Sequence, residues 1–339
     1  ENFSKPVPSQ INQDLKIDFC YVPAQKEESK LLIVSSGTHG IEGFTGSAVQ
    51  QMMMDNFLEI GMLDNIGILF IHAVNPYGFK FLQRTTENNV DINRNCDTIR
   101  TLFSTPNDGY IALNEMLNPS GKVSVGSIKN KFFMLVAIKK LMQESKASLR
   151  QAILQGQYEF PKGIYFGGKD FEPQLSILSE VILDKAANYD TLFNIDLHTG
   201  YGARGVLHLF PNPTENQEVK KHLEQIFEGD TIDWGDSDDF YTMNGQFSDY
   251  IGKLLPRKFY LPMSFEYGTL NSQNTLGLVK SLHNSILENQ GIQYGYKNVK
   301  DSLAVMKNYM EMFYPSSETW RSKIMNDTYE MMELVFERY

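Results

Sequence analysis

The segment LLIVSSGTHGIEG (31–43) is the most informative part of the sequence about the fold, because it joins a short apolar run to a glycine-rich turn. The run LLIVS has the length and the aliphatic, β-branched content of a buried strand. Residues 45–57, which follow the turn, have the pattern of a helix. The stretch therefore predicts a strand, a turn and a helix in succession, and the turn carries a histidine and a glutamate.

Four further apolar runs have the same character and predict strands at 66–74, 192–197, 206–210 and 259–267. Helix-like segments separate them, notably 128–155 and 173–188. Strands that alternate with helices are typical of α/β domains whose sheet is mostly parallel. We therefore expect an α/β fold, a three-layer α/β/α sandwich with a mixed, mostly parallel sheet.

Composition excludes several classes of protein. The chain has 339 residues with 31 basic and 41 acidic side chains, and the net charge of −10 argues against binding to nucleic acid through phosphate neutralisation. Cys20 and Cys96 are too few for a disulfide framework or a cysteine zinc cage. No apolar run is long enough to cross a bilayer, and the polar start ENFSKPVPSQ does not resemble a signal peptide. We expect a cytoplasmic protein that binds neither nucleic acid nor a membrane.

Polar residues at the carboxyl ends of the predicted strands indicate where a ligand binds. His39 and Glu42 stand three residues apart, so one helical turn places both side chains on the same face, where they can share a metal ion. His198 follows the run LFNIDL and could supply a third ligand. Two histidines and a glutamate with an open fourth position are typical of catalytic zinc. Taken alone, His198 would be a hydrogen-bonded loop histidine.

Other charged residues near these strand ends suggest catalytic roles. Glu266 ends the run at 259–267 and could act as a general base on a water molecule beside the metal. Arg84 and Arg94 lie in the polar segment 75–95 and could hold a carboxylate or a developing oxyanion. Each arginine alone could equally be an ordinary surface residue.

Five motifs together resemble the zinc carboxypeptidase superfamily, including its carboxypeptidase A-like and aspartoacylase-like branches. They are HGIEG, NPYG, R-x₆-DINRN, DLHTG and FEYGT, in this order over about residues 30–270. The chain is most similar to a bacterial group of uncharacterised carboxypeptidase-like proteins that share FEYGT-type motifs and the sequence YFGG, which stands at 165–168.

The resemblance implies one zinc ion per chain and a role for each matching residue. The zinc ligands would be His39, Glu42 and His198, and Glu266 would be the general base. Arg84 would polarise the scissile carbonyl, and Asn93 with Arg94 would bind a terminal carboxylate. Asp91 would orient the first ligand histidine, because a carboxylate fixes the tautomer of an imidazole.

The activity that follows is zinc-dependent hydrolysis of an amide bond next to a free carboxylate, as in a metallocarboxypeptidase. The substrate would be a peptide or an N-acyl amino acid. One alternative is an aspartoacylase-like deacylase of small N-acyl amino acids, since the substrate-closing tyrosine of carboxypeptidases has no secure counterpart here. Tyr241 and Tyr250 are candidates for it, and Arg204 could add an anion contact. A non-catalytic metal-binding or peptide-binding protein is the alternative from another class.

The expected ligands lie on both sides of 97–165 and must converge, so we expect one catalytic domain over 1–339 with an insertion at 97–165. Within it, 128–142 reads as a basic amphipathic helix, whose charges would most simply form a solvated face. The C-terminal segment 300–339 is rich in Met, Tyr and Phe at helical spacing. It would cover the core or pair with a second copy in a homo-oligomer.

Overall fold

The computed structural model describes residues 1–58, 63–143, 146–234 and 243–339, without the side chains of 140–147. Seven strands form one sheet in these residues: β1 Asn2–Pro6, β2 Lys16–Val22, β3 Lys30–Ser36, β4 Ile66–His72, β5 Thr191–Thr199, β6 Leu207–Phe210 and β7 Phe259–Tyr267. The first helices are α1 Gly43–Asn56, α2 Pro76–Phe81, α3 Asp108–Leu117, α4 Ile128–Gln143, α5 Lys146–Leu154 and α6 Pro173–Lys185. The remaining ones are α7 Gln217–Ile226, α8 Phe247–Leu254, α9 Thr275–Tyr294, α10 Val299–Phe313 and α11 Glu318–Arg338.

The sheet is mixed, with the strand order β1-β2-β4-β3-β5-β7-β6. Its four central strands β4, β3, β5 and β7 are parallel, whereas β1, β2 and β6 pair in antiparallel fashion at the two edges. The parallel part is therefore the middle of the sheet, and its strands end at one common edge.

Helices cover both faces of the sheet, which confirms the expected three layers. Alternate residues of β3 point to opposite faces, because side chains in a strand have a period of two. Leu32 and Val34 pack in the core beneath α1, α7 and α11, whereas Leu31 and Ile33 pack in the core beneath α6 and α8. The strand is buried on both faces, and this explains why its sequence is continuously apolar.

One local prediction differs from the structure. The Asn-Pro and Gly residues of NPYG at 75–78 predict a turn, but the motif begins α2, because the Asn75 side chain accepts a hydrogen bond from the Gly78 amide and Pro76 occupies the first helical position. The helix-like stretch 128–155 contains α4 and α5, and residues 144–145, which lie between them, are outside the described residues.

A separate helical cluster lies beyond the carboxyl ends of the parallel strands. Helices α3, α4, α5 and α9 share a hydrophobic core of their own, in which Tyr110, Phe133, Leu149 and Val279 are buried. Helix α10 adds a smaller apolar contact with the segment after β3, through Phe313 and Ile41. None of the described helices has both the length and the apolar character that a membrane span requires.

Glycine at position 40 allows the segment after β3 to pack directly on α2. A Cβ atom at Gly40 would lie 2.0 Å from the carbonyl carbon of Gly78 and 2.0 Å from the amide nitrogen of Phe79. Both neighbours are backbone atoms, so the clash could be relieved only by separating the two segments. The close approach fixes the position of the short 3-10 helix Gly40–Glu42.

We predict that Gly40→Ala lowers the free energy of unfolding by about 1–3 kcal/mol, as overpacking typically does. Urea denaturation followed by circular dichroism measures this change. Gly126→Ala is the matched control, because a Cβ there would have no neighbour within 4 Å. Equal stabilities of the two variants would contradict the packing argument.

Candidate metal and catalytic site

Three side chains that are typical metal ligands converge at the carboxyl ends of β3 and β5. His39 and Glu42 lie in the segment after β3, and His198 is the penultimate residue of β5. Nδ1 of His39 is 2.9 Å from one Glu42 carboxylate oxygen, and Nδ1 of His198 is 2.9 Å from the other. One potential ligand atom from each residue lies within 4.8 Å of those from the other two, so the group could hold a metal ion.

The other nitrogen of each imidazole contacts a second carboxylate. Nε2 of His39 is 3.2 Å from Asp91, and Nε2 of His198 is 2.7 Å from Asp196. An ionised carboxylate only accepts hydrogen bonds, so each Nε2 can donate a proton to its outer carboxylate, and a neutral ring in that tautomer has its lone pair at Nδ1. Both lone pairs would then face the carboxylate of Glu42. These electron-rich atoms would repel one another, and a proton or a metal cation between them removes that repulsion.

The electrostatics of Glu42 and His198 favour positive charge at this position. Burial opposes ionisation of Glu42, yet His39 and His198 hold its pKa below the usual range. Burial likewise opposes charging of His198, but Asp196 and Glu42 raise its pKa well above the usual value. The site is thus built around a positive charge, and binding of a cation would displace a proton.

Glu266 adds a carboxylate beside the cluster, because it pairs directly with His198 in the register of β5 and β7. One of its carboxylate oxygens is buried and has no hydrogen-bond partner among the described residues. Burial, followed by the nearby Glu42 charge, raises the pKa of Glu266 to about 7. A carboxyl group with such a pKa can gain and lose a proton near neutrality.

Arg84 contacts both Asp91, which supports His39, and the metal-ligand candidate Glu42. Its Nε donates to Asp91 at 2.9 Å, and its Nη1 lies 3.4 Å from Glu42. Burial disfavours the charge of Asp91, but Arg84 and then His39 hold its pKa well below the usual range. The Arg84 guanidinium stacks 5.3 Å from the ring centre of Tyr165, and its second terminal nitrogen has no partner among the described residues.

Arg94 is a fully buried cation whose hydrogen bonds go to neutral groups. Nε and Nη2 donate to the carbonyl of Leu154, and Nη1 donates to the carbonyl of Asn93. Two of its five N–H groups remain available, and no ion pair to it occurs among the described residues. The Asn93 side-chain oxygen accepts from the amide of Phe247, which leaves the side-chain NH₂ as a donor.

These side chains line one cavity of about 170 Å³. Its polar end contains every residue predicted to bind metal or substrate or to act in catalysis: His39, Glu42, Arg84, Asn93, Arg94, His198 and Glu266. Asp91 lies directly behind His39. The rest of the wall is largely apolar and comes from the helical cluster and α10, with Met116, Leu149, Ile153, Val279, Leu282 and Phe313.

Other candidates from the sequence lie elsewhere. The Tyr250 hydroxyl contacts Ser179 in the core beneath α6, so this residue does not line the cavity. Arg204 is exposed and donates to the carbonyl of Thr269, also away from the cavity. Tyr241 lies outside the described residues.

Sequence reasoning missed Asp196, although a signal for it was present. In the predicted strand LFNIDL followed by His198, Asp196 stands two residues before the histidine, and alternate residues share one face of a strand. Tyr165 was missed for a different reason. Its left-handed backbone conformation, with φ of 55°, and its position between two arginines depend on tertiary structure.

We predict that Asp196→Asn weakens zinc binding about 10- to 100-fold, because the amide no longer requires a proton on Nε2 of His198. Isothermal titration of chelator-treated protein measures the affinity, and a thermal melt checks the fold. Asp55→Asn, on the exposed side of α1, is the control. Unchanged affinity in Asp196→Asn would show that the carboxylate does not support the ligand.

Solved structures to which the chain is similar include three enzymes. Carboxypeptidase A from Helicoverpa armigera is 13% identical with a TM-score of 0.40, and the match covers 91% of this chain and 68% of that one. A metallo-carboxypeptidase from Burkholderia cenocepacia is 11% identical with a TM-score of 0.38, covering 93% and 61%. Murein-tripeptide amidase from Escherichia coli O157 is 14% identical with a TM-score of 0.38, covering 84% and 91%.

Two comparisons of the sequence gave different results. No curated protein matches the chain. A family described as "Protein of unknown function (DUF2817)" matches residues 1–327, which is nearly the whole length. The chain therefore belongs to the DUF2817 family.

Proposed function

We propose that the protein is a zinc-dependent hydrolase that cleaves an amide bond next to a free carboxylate, in the manner of a metallocarboxypeptidase. The observation that carries the proposal is the convergence of two imidazole Nδ1 atoms and a carboxylate beside the unpartnered oxygen of Glu266. A site that only stored a metal would have no use for this additional carboxylate.

The donor set fits zinc. Two neutral imidazoles and one carboxylate are the ligands of many catalytic zinc sites, and each imidazole here is supported by a further carboxylate. When bound, zinc would supply Lewis acidity, which polarises a carbonyl oxygen and makes a water molecule more acidic. His39, Glu42 and His198 would hold it.

The residues around the metal ligands would each have a separate role in catalysis. Glu266 would take a proton from the attacking water and later give it to the leaving nitrogen, since its pKa of about 7 suits both steps. The free N–H groups of Arg84 would stabilise the negative charge that develops on the carbonyl oxygen. The buried hydroxyl of Thr199 has no partner among the described residues and could donate to the substrate.

Arg94 and Asn93 would bind the free carboxylate of the substrate. The charge of Arg94 has no acidic partner among the described residues, so an incoming carboxylate would gain charge-assisted hydrogen bonds without breaking an ion pair. The apolar wall next to Arg94, which includes Ile153 and Leu149, favours a substrate whose side chain beside that carboxylate is apolar.

A deacylase of small N-acyl amino acids is the second candidate, and the size of the cavity favours it. Its volume of about 170 Å³ is below the roughly 300–1,000 Å³ of sites for drug-sized ligands. The helical cluster forms much of its wall. Comparing acetylated amino acids with longer peptides that share the same C-terminal residue distinguishes the two candidates, because a cavity of this volume holds the former and excludes the latter.

We predict that Glu266→Gln lowers kcat/KM about 10²- to 10⁴-fold for the best substrate of such a panel while zinc content is unchanged. The amide has nearly the shape of the carboxylate but cannot accept the proton. Glu224→Gln, on the exposed side of α7, is the matched control and should keep full activity.

Two results would count against this assignment. If Glu266→Gln is as active as the wild type, another residue accepts the proton. If the zinc-loaded wild type cleaves no peptide and no acyl amino acid, the protein is a metal-binding or peptide-binding protein rather than an enzyme.

We also predict that the enzyme prefers a free carboxylate over the corresponding carboxamide by about 10- to 100-fold in kcat/KM, the value expected for hydrogen bonds to a charged group. The preference should decrease in Arg94→Lys, because an ammonium group lacks the planar fork of the guanidinium. Arg100→Lys, which alters an exposed ion pair with Asp170, is the control. Equal kcat/KM values for the acid and the amide would show that Arg94 does not bind the substrate carboxylate.

A further inference from the structure

Helix α4 exposes an apolar stripe on its outer surface. Ile128, Phe132, Leu135 and Val136 are 76%, 54%, 62% and 51% exposed. At 100° per residue these four positions fall within about 100° of one another around the helix axis, so they form one continuous strip. The opposite side of the helix, with Phe133, packs in the helical cluster. The stripe is therefore a second apolar face that the described residues leave uncovered.

Lysines flank this stripe on both sides. On the same helical wheel Lys131 lies on one border of the stripe, Lys129 lies on the other, and Lys139 lies near its centre one turn beyond Val136. All three lysines are exposed, and none forms an ion pair with a described residue. The sequence of α4 contains four lysines and no acidic residue, in a chain whose net charge is −10.

A solvated helix face does not account for this arrangement. The lysines are exposed as the sequence suggested, but the four apolar side chains between them are exposed as well. An apolar strip bordered by lysines is typical of helices that lie in the interface of an anionic bilayer. The acidic side chains elsewhere in the protein repel an anionic bilayer only weakly, because salt screens charges beyond about 8 Å at physiological ionic strength.

In place of the expectation from the sequence that the protein does not bind a membrane, we propose that α4 docks it peripherally on an anionic lipid surface, with the apolar stripe inserted among the acyl chains and the lysines at the headgroups. Charge complementarity selects this occupant: a neutral apolar partner would leave the lysines without a counter-charge. The inner side of the same helix contributes Ala137 to the cavity wall, so docking would place the candidate site close to the bilayer.

Sedimentation with vesicles tests the proposal on the full chain. Phosphatidylcholine vesicles that contain phosphatidylglycerol should bind the protein, vesicles of phosphatidylcholine alone should bind it weakly, and added salt should reduce binding. The double variant Phe132→Ser/Leu135→Ser should bind at least about tenfold more weakly. Lys129→Gln and Lys131→Gln should each weaken binding to the anionic vesicles about fivefold.

Leu303→Ser/Met306→Ser is the matched control. These residues of α10 have the same spacing as Phe132 and Leu135 and similar exposure, at 63% and 47%, and they should not affect binding. All the substituted side chains are exposed, so circular dichroism and the melting temperature should be unchanged. Vesicle binding is measured without any hydrolysis, so the docking proposal would stand even if the proposed hydrolase activity were not found.

Three outcomes would overturn the proposal. The first is no binding to anionic vesicles, and the second is equal loss of binding in the α4 and α10 double variants. The third is a wild-type dimer in light scattering that Phe132→Ser/Leu135→Ser converts to a monomer while vesicle binding is unchanged. That third result would assign the stripe to a contact between two copies of the chain.

Discussion

The arrangement of two imidazoles around the carboxylate of Glu42 is the interaction on which the site depends. Asp91 and Asp196 can accept protons from the outer nitrogens of His39 and His198, and neutral rings in that tautomer present their inner lone pairs to an anion. Such a geometry is stable only with positive charge at its centre. The fold supplies this geometry because β3 and β5 are adjacent and parallel, which brings their carboxyl ends together.

Much of the central fold was predictable because buried parallel strands are continuously apolar, as in 31–35 and 192–197. The strands β1 and β2 were missed. In β2 the alternation of Lys16, Ile17, Asp18 and Phe19 was a readable signal for a half-exposed strand, whereas the short edge strand β1 offers no such pattern. The order of the strands could not be predicted, because pairing depends on contacts distant in sequence.

The location of the candidate site was predictable, since glycines and charged residues at strand ends mark it directly. His39, Glu42, His198 and Glu266 line one cavity, as their positions suggested. The shape of that cavity could not be foreseen. Its apolar wall comes from helices of the 97–165 segment and from α9, and their packing sets which part of a substrate can fit. Even the acidic composition was a poor guide to local charge, because buried Arg94 and the lysines of α4 create positive regions.

Anomalous diffraction at the zinc absorption edge, from crystals equilibrated with zinc, shows directly whether these residues bind the metal. We expect one strong peak per chain, about 2.0–2.2 Å from Nδ1 of His39, Nδ1 of His198 and the nearest Glu42 oxygen. A peak at another group of residues, or no peak despite full exposure to zinc, would contradict it.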